Sequence, residues 1–248
     1  MIYIFESDGA GGRGVSDLFK KAYGDDAFAC FYCPYPAPPY LETSRIAYLK
    51  NYFIAAKGLA ANICIDAKLF SENFSGAETA IVLRNPVAAS IRSYQAFLTT
   101  YAVSYWPDQT SAPADFATLG AYIDNIRGSN YLVRALAGVP ADEAVNQGHL
   151  VSAKARLANF DHFVIAEDLR LSLLGLMRRH PSVRTLFGND QHAALQSIDH
   201  HLGFDAMHVS PEDMEKALAR NALDMQLYAE ALNLATARYV MGGGSHAV

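Results

Sequence analysis

Apolar positions in the first half of the chain alternate between short continuous runs and three-to-four-residue spacings. MIYIFES has the length and the β-branched and aromatic content of a buried strand, and it leads straight into a cluster formed by Gly9, Gly11, Gly12 and Gly14. VSDLFKKAYG follows with helical spacing: Val15, Leu18, Phe19 and Ala22 share one face, and Gly24 is placed to stop the helix. The first unit is therefore strand, glycine loop, helix. AFACFYC predicts a second strand, ended by the proline-rich PYPAPPY, and the stretch from Thr43 to Lys57 has helical spacing. LAANICIDA predicts a third strand. TAIVLR predicts a fourth, followed by an Asn-Pro helix start and a helix from about Val87 to Tyr101.

Beyond about residue 110 the pattern becomes nearly all helical. Helices are expected over Asp115 to Ile126, Ser129 to Ala137, Pro140 to Leu157, around Leu169 to Arg179, and Pro211 to Tyr239, with HFVIAEDL as the one late strand. Strands alternating with helices call for parallel strands joined by right-handed crossovers, hence a doubly wound sheet. One domain over residues 1–241 is expected, with 242–248 as a flexible tail.

Composition narrows the function classes. A hydrophobic fraction of 51% with 18% charged residues is that of a chain that folds. A net charge of −5 argues against an extended nucleic-acid surface while leaving room for a local basic pocket around one anionic cofactor. The apolar run at the amino terminus is too short for a signal peptide or a spanning helix of about 20 residues, which predicts a cytoplasmic protein without a membrane partner. Cys30 and Cys33 spell C-x-x-C, but PYPAPP follows and no second ligand pair is spaced for zinc, so buried thiols on a strand are expected rather than a metal site.

The glycine loop reads in more than one way. Gly9 to Gly14 satisfies G-x-G-x-x-G between a strand and a helix, the context of a dinucleotide fingerprint. That fingerprint also requires an acidic residue about 20 positions on, and here the second strand ends in Cys33-Pro34 with Glu42 the next acid. Gly9 to Ser16 has the spacing of G-x-x-x-x-G-K-[ST], with Val15 where the phosphate lysine belongs. Four glycines in six residues exceed the needs of a tight turn, which favours an anion site built from backbone N–H groups and the helix amino terminus.

IVLRNPVAASIRSYQAFL resembles the segment of the sulfotransferase family in which a strand ends in R-[DN]-P-V and the following helix carries a serine. Asn130-Tyr-Leu-Val-Arg-Ala-Leu-Ala-Gly138 is similar to the family's N-Y-x-x-R-x-L-A-G, residues 153–173 to its helix-then-strand stretch, and Asn221 to Tyr228 to its N-x-x-D-x-x-L-Y helix. The four stretches occur in the family's order and lie nearest the branch that contains heparan 2-O-sulfotransferases. The resemblance implies a P-loop-type α/β fold, a parallel sheet flanked by helices with a mostly helical C-terminal half. It also implies 3′-phosphoadenosine-5′-phosphosulfate (PAPS; PAP after transfer) as cofactor, a carbohydrate or small-metabolite acceptor, and no metal.

Under that alignment Gly9, Ala10, Gly11, Gly12, Arg13 and Gly14 form the 5′-phosphosulfate loop, with Gly9 at the lysine position. Arg84 grips the 3′-phosphate with Arg92 and Ser93, Arg92 standing where the family has serine. Arg13 is the expected replacement for the missing cation, with Lys68, from another strand end, as the second candidate. Asp66, near the end of the third strand, is the expected base, with Glu6 as its alternate. Asn130 and Arg134, four apart on one helix face, could reach the cofactor or pack helices. The function implied is sulfuryl transfer to a hydroxyl. The alternatives are a non-catalytic PAP- or nucleotide-binding module of the same fold, and a dinucleotide-binding protein.

Overall fold

The computed structural model describes residues 1–7, 13–24, 27–31, 57–61, 64–98, 117–140, 142–189 and 209–243. The expected helix between Thr43 and Lys57 and the loop from Gly9 to Gly12 lie outside these residues, apart from Lys57 itself. Five strands, β1 (Ile2–Glu6), β2 (Phe28–Phe31), β3 (Gly58–Ala61), β4 (Glu78–Leu83) and β5 (His162–Ile165), form one sheet in the order β2-β3-β1-β4-β5. All four pairings are parallel. In the dinucleotide-binding order β1 neighbours β2, whereas here β3 stands between them.

Strand alternation divides the core into two layers. Ile2, Ile4, Ala60, Ala80, Val82 and Val164 face Val15, Leu18 and Phe19 of α1 (Arg13–Tyr23), together with Leu173 and Leu176 from a later helix. Tyr3, Phe5, Leu59, Ile81, Leu83 and Phe163 face the opposite helical layer. That layer contains α2 (Ala67–Asn73), α5 (Tyr131–Ala137), α6 (Gln147–Leu157) and α10 (Ala222–Gly243). The first layer is completed by α7 (Leu169–Arg179) and α8 (Pro181–Asn189). A third cluster joins α3 (Pro86–Ala96), α4 (Leu119–Tyr122) and α9 (Pro211–Arg220). None of the helices described is long and apolar enough to cross a membrane.

Three expectations are corrected, and two helices appear that the spacing did not suggest. The third strand is shorter than LAANICIDA: Ile65 donates its N–H to the Tyr3 hydroxyl at 3.0 Å, so the chain has turned back over the face of β1 before Asp66. Asp66 then begins α2, a helix the spacing did not suggest. The helix expected from Pro140 begins only at Gln147. Gly138, at φ 71°, closes α5, and Asn146 caps α6 by accepting the His149 N–H. The helix expected from Pro211 to Tyr239 is two helices. Asn221 separates them by donating its side chain to the Ala217 carbonyl at 2.7 Å and to the Ser90 hydroxyl at 3.1 Å. The helix α8 was also not anticipated.

Glu78, the first residue of β4, fastens the amino-terminal edge of the sheet. Its Oε2 accepts from Nε2 of both His162 (3.0 Å) and His180 (3.2 Å), and its Oε1 accepts from Arg179 (3.2 Å). Because a carboxylate only accepts, both imidazoles carry their proton on Nε2, which leaves His180 Nδ1 to accept from the Tyr23 hydroxyl at 2.7 Å. Burial holds both histidines below the usual imidazole range, against the opposing pull of Glu78. Burial acts to raise the Glu78 carboxyl, but hydrogen bonds from His162 and Arg179 and the charges around it outweigh that and hold it low.

The unfolded chain therefore binds protons at these histidines near pH 6.5, while the folded chain does so only at lower pH. Stability from this clasp is complete above about pH 6.5 and is lost as the pH falls through the depressed values. Urea unfolding at about pH 7.5 and about pH 5.5 should show lower stability in acid, and the drop should shrink in a His162→Gln/His180→Gln variant. An undiminished drop would place the titration elsewhere.

Candidate functional site

The sheet order locates a crevice. From β1 the chain runs toward β2 at one edge, whereas from β4 it runs to β5 at the other, so the connections diverge between the carboxyl ends of β1 and β4. At that point Ser7 donates both its N–H (3.4 Å) and its hydroxyl (2.9 Å) to the Val82 carbonyl. Glu6 is buried beneath the first turn of α1, where the Ser16 hydroxyl donates to its Oε1 at 2.5 Å.

Arg84 follows β4 directly and is only 4% exposed. Asn85 then caps α3 by accepting the N–H groups of Val87 and Ala88, with Pro86 at the first helical position. Glu167, in the tight turn after β5, ties this corner to α10. Its Oε1 accepts the Asn85 N–H at 2.7 Å, and its Oε2 accepts the Tyr228 hydroxyl at 2.7 Å. Burial lowers the proton affinity of Arg84; the charge of Glu167 opposes this and that of Arg92, on α3, adds to it. Burial likewise raises the Tyr228 phenol, with Glu167 acting in the same direction. Arg84, Arg92, Glu167 and Tyr228 thus form one electrostatic cluster at the carboxyl edge. Ser93, beside Arg92 in sequence, is buried.

Of the remaining expected residues, most of the glycine loop lies outside the described residues, and Asp66 and Lys68 stand apart from the Arg84 corner. Gly14 is buried in α1, and Arg13 is the first residue of that helix, its side chain lying outside the description, as do Gly9, Ala10, Gly11 and Gly12. Asp66 is the cap of α2, accepting the Leu69 N–H at 3.0 Å and pairing with Arg156 at 3.3 Å. Lys68 is not at a strand end: it stands in α2 with its side chain 73% exposed, 4.0 Å from Glu72 one turn on. Among the described residues, the charges of Arg84 and Arg92 act on one another, and neither contacts Asp66 or Lys68.

Asn130 and Arg134 pack helices. Asn130 Oδ1 accepts the N–H groups of Leu223 (2.8 Å) and Asp224 (3.2 Å) at the start of α10, while Asp224 accepts those of Leu132 (3.0 Å) and Val133 (2.8 Å) at the start of α5. Each helix start is capped by the other's side chain. Arg134 donates to the Pro140 carbonyl. Glu167 and Tyr228 are the site residues that sequence reasoning missed. Both lie in stretches matched to the sulfotransferases, and that placement was the available signal.

Cys30 pairs with Ala60 in the sheet, Cys33 lies outside the described residues, and Cys64 is free and buried. No family model matches the chain, and no curated protein matches it.

Asp224 is fully buried, so Asp224→Ala should strand two helix-terminal N–H groups and lower the unfolding free energy by about 3 kcal/mol. Asp224→Asn, which keeps one acceptor, should lose about half as much in urea denaturation. Losses below about 0.5 kcal/mol for both would mean that the reciprocal caps carry little of the fold's stability.

Proposed function

We propose that this chain is a sulfotransferase that binds 3′-phosphoadenosine-5′-phosphosulfate at the carboxyl edge of its sheet and serves a hydroxyl of a carbohydrate or small metabolite. The supporting observation is the convergence of Arg84 and Arg92. The guanidinium charges of Arg84 and Arg92 interact where burial already disfavours charge at Arg84, and the Glu167 carboxylate opposes that penalty. A phosphate dianion is the complement of that donor set, because each arginine can offer it paired, charge-assisted hydrogen bonds. The resemblance of the flanking segments identifies that dianion as the 3′-phosphate. On the same grounds the β1, glycine segment and α1 unit is read as a P-loop.

When bound, the cofactor supplies an activated sulfuryl group. Arg84 and Arg92 hold the 3′-phosphate, and Glu167 with Tyr228 positions Arg84 by charge and anchors Asn85 by hydrogen bonding. The amino terminus of α1 presents its partial positive charge at the carboxyl end of β1, favouring the 5′-phosphosulfate there. Arg13, opening that helix, is the cation assigned to negative charge developing on the bridging oxygen. Asp66 can serve as base only by leaving its helix cap and Arg156.

That requirement favours a second reading, a non-catalytic module that binds PAP or a related nucleotide. The lysine missing at Gly9, and the exposed position of Lys68 on α2, point the same way.

Calorimetry with PAP and with adenosine 5′-phosphate tests the site, and turnover against an acceptor panel tests the chemistry. Arg84→Ala should weaken PAP by about 1.5–3 kcal/mol while leaving adenosine 5′-phosphate nearly unchanged, since only PAP carries the gripped group. Equal losses for the two ligands would make Arg84 structural. With an active acceptor in hand, Arg13→Ala should lower kcat by about 10²–10³ with little change in PAP affinity. Tight PAP binding without turnover on any acceptor would select the binding module.

A further inference from the structure

We propose that the cleft at the amino-terminal edge of the sheet is a second ligand site, which takes a small metabolite bearing a phosphate or carboxylate group. This is independent of the nucleotide reading, because it concerns the opposite ends of the same strands. The cleft has a volume of about 300 Å³ and is lined by Tyr23, Lys57, Glu78, Arg179 and His180 among others. That is the lower end of the range for small-molecule sites.

These side chains come from four segments separated in sequence: the end of α1, the residue before β3, the start of β4, and the junction of α7 with α8. The Glu78 carboxylate is already taken up by Arg179, His162 and His180, so it organises the cleft instead of presenting a free acceptor. Among the described lining residues, the charged side chains most open to solvent are cationic. Lys57 is exposed, and the Arg179 side chain is 63% exposed, with a fork of donors of which one engages Glu78.

With both imidazoles neutral, Lys57 and Arg179 outweigh Glu78 by one positive charge among the described lining residues. A metal ion is not the natural occupant. The contacts of His162 and His180 with Glu78 are 3.0 and 3.2 Å hydrogen bonds, and among the described residues no group of three or more histidine, cysteine or acidic side chains is arranged to hold one.

The clasp also couples ligand to proton. His180 is faced by Tyr23 from α1, Glu78 from β4, His162 from β5, the Met1 amino group at the start of the chain, and the ring of Phe19. An oxyanion beside it offsets the burial that keeps the imidazole neutral, so anion and proton each favour the other's binding.

The test is NMR of the histidine ring signals during titration of the full chain with inorganic phosphate, and separately with succinate, at constant ionic strength. Saturable movement of the His180 signals and a rise in its titration midpoint are expected. Lys57→Ala/Arg179→Ala should weaken this about tenfold or more, whereas Arg84→Ala, altered at the other edge, should leave it intact. The stronger of the two probes identifies the anionic group. Movement no greater than sodium chloride causes, or saturation that persists in the double variant or vanishes in Arg84→Ala, would overturn the assignment. If the double variant does not fold, the exposed Lys57→Ala alone carries the comparison, with the same outcomes deciding.

Discussion

Burial of β1 on both faces is the constraint on which the remaining architecture depends. Ile2 and Ile4 turn toward one helical layer and Tyr3 and Phe5 toward the other, and none of the four is exposed. A strand apolar on both faces must lie inside a sheet covered by helices on each side, and parallel pairing with right-handed crossovers satisfies that with helical connections. The path leaves β1 over the α1 layer and returns to β4 over the α2 layer. The chain leaves β1 toward one edge of the sheet and leaves β4 toward the other, so these two central strands open the crevice between their carboxyl ends.

Arg84 occupies that crevice under electrostatic tension. Removing its guanidinium from water disfavours the charge, and the proximity of Arg92 adds to the penalty. Glu167 offsets part of this while also holding Asn85 and Tyr228, so the same carboxylate fixes the start of α3, the end of β5 and one face of α10. A cluster of this kind can persist as a structural ion network or as a site for an external anion.

Much of this was legible from spacing. The first and fourth strands, α1 and its buried face, and Arg84 at a strand end follow from local runs whose period the tertiary fold preserves. What could not be read depends on contacts distant in sequence. The turn before Asp66 is held by Tyr3, some sixty residues away, and it carries Asp66 and Lys68 onto a helix over the sheet's face. The interruption at Asn221 depends on Ser90, and the start of α10 depends on Asn130; to spacing alone, α9 and α10 form one continuous apolar stripe. Glu167 gains its meaning only when β5 is set beside β4.

The two edges of the sheet carry different charge arrangements. At the amino edge Glu78 gathers two histidines and an arginine, and the result ties together β4, β5, α1 and the α7–α8 junction. At the carboxyl edge the charge of Arg92 and burial disfavour the Arg84 guanidinium while Glu167 supports it. Parallel strands give the sheet two chemically unlike ends, because every strand begins at one and finishes at the other. A charge change at either end therefore acts through a different set of elements, with the apolar layers of the sheet between them.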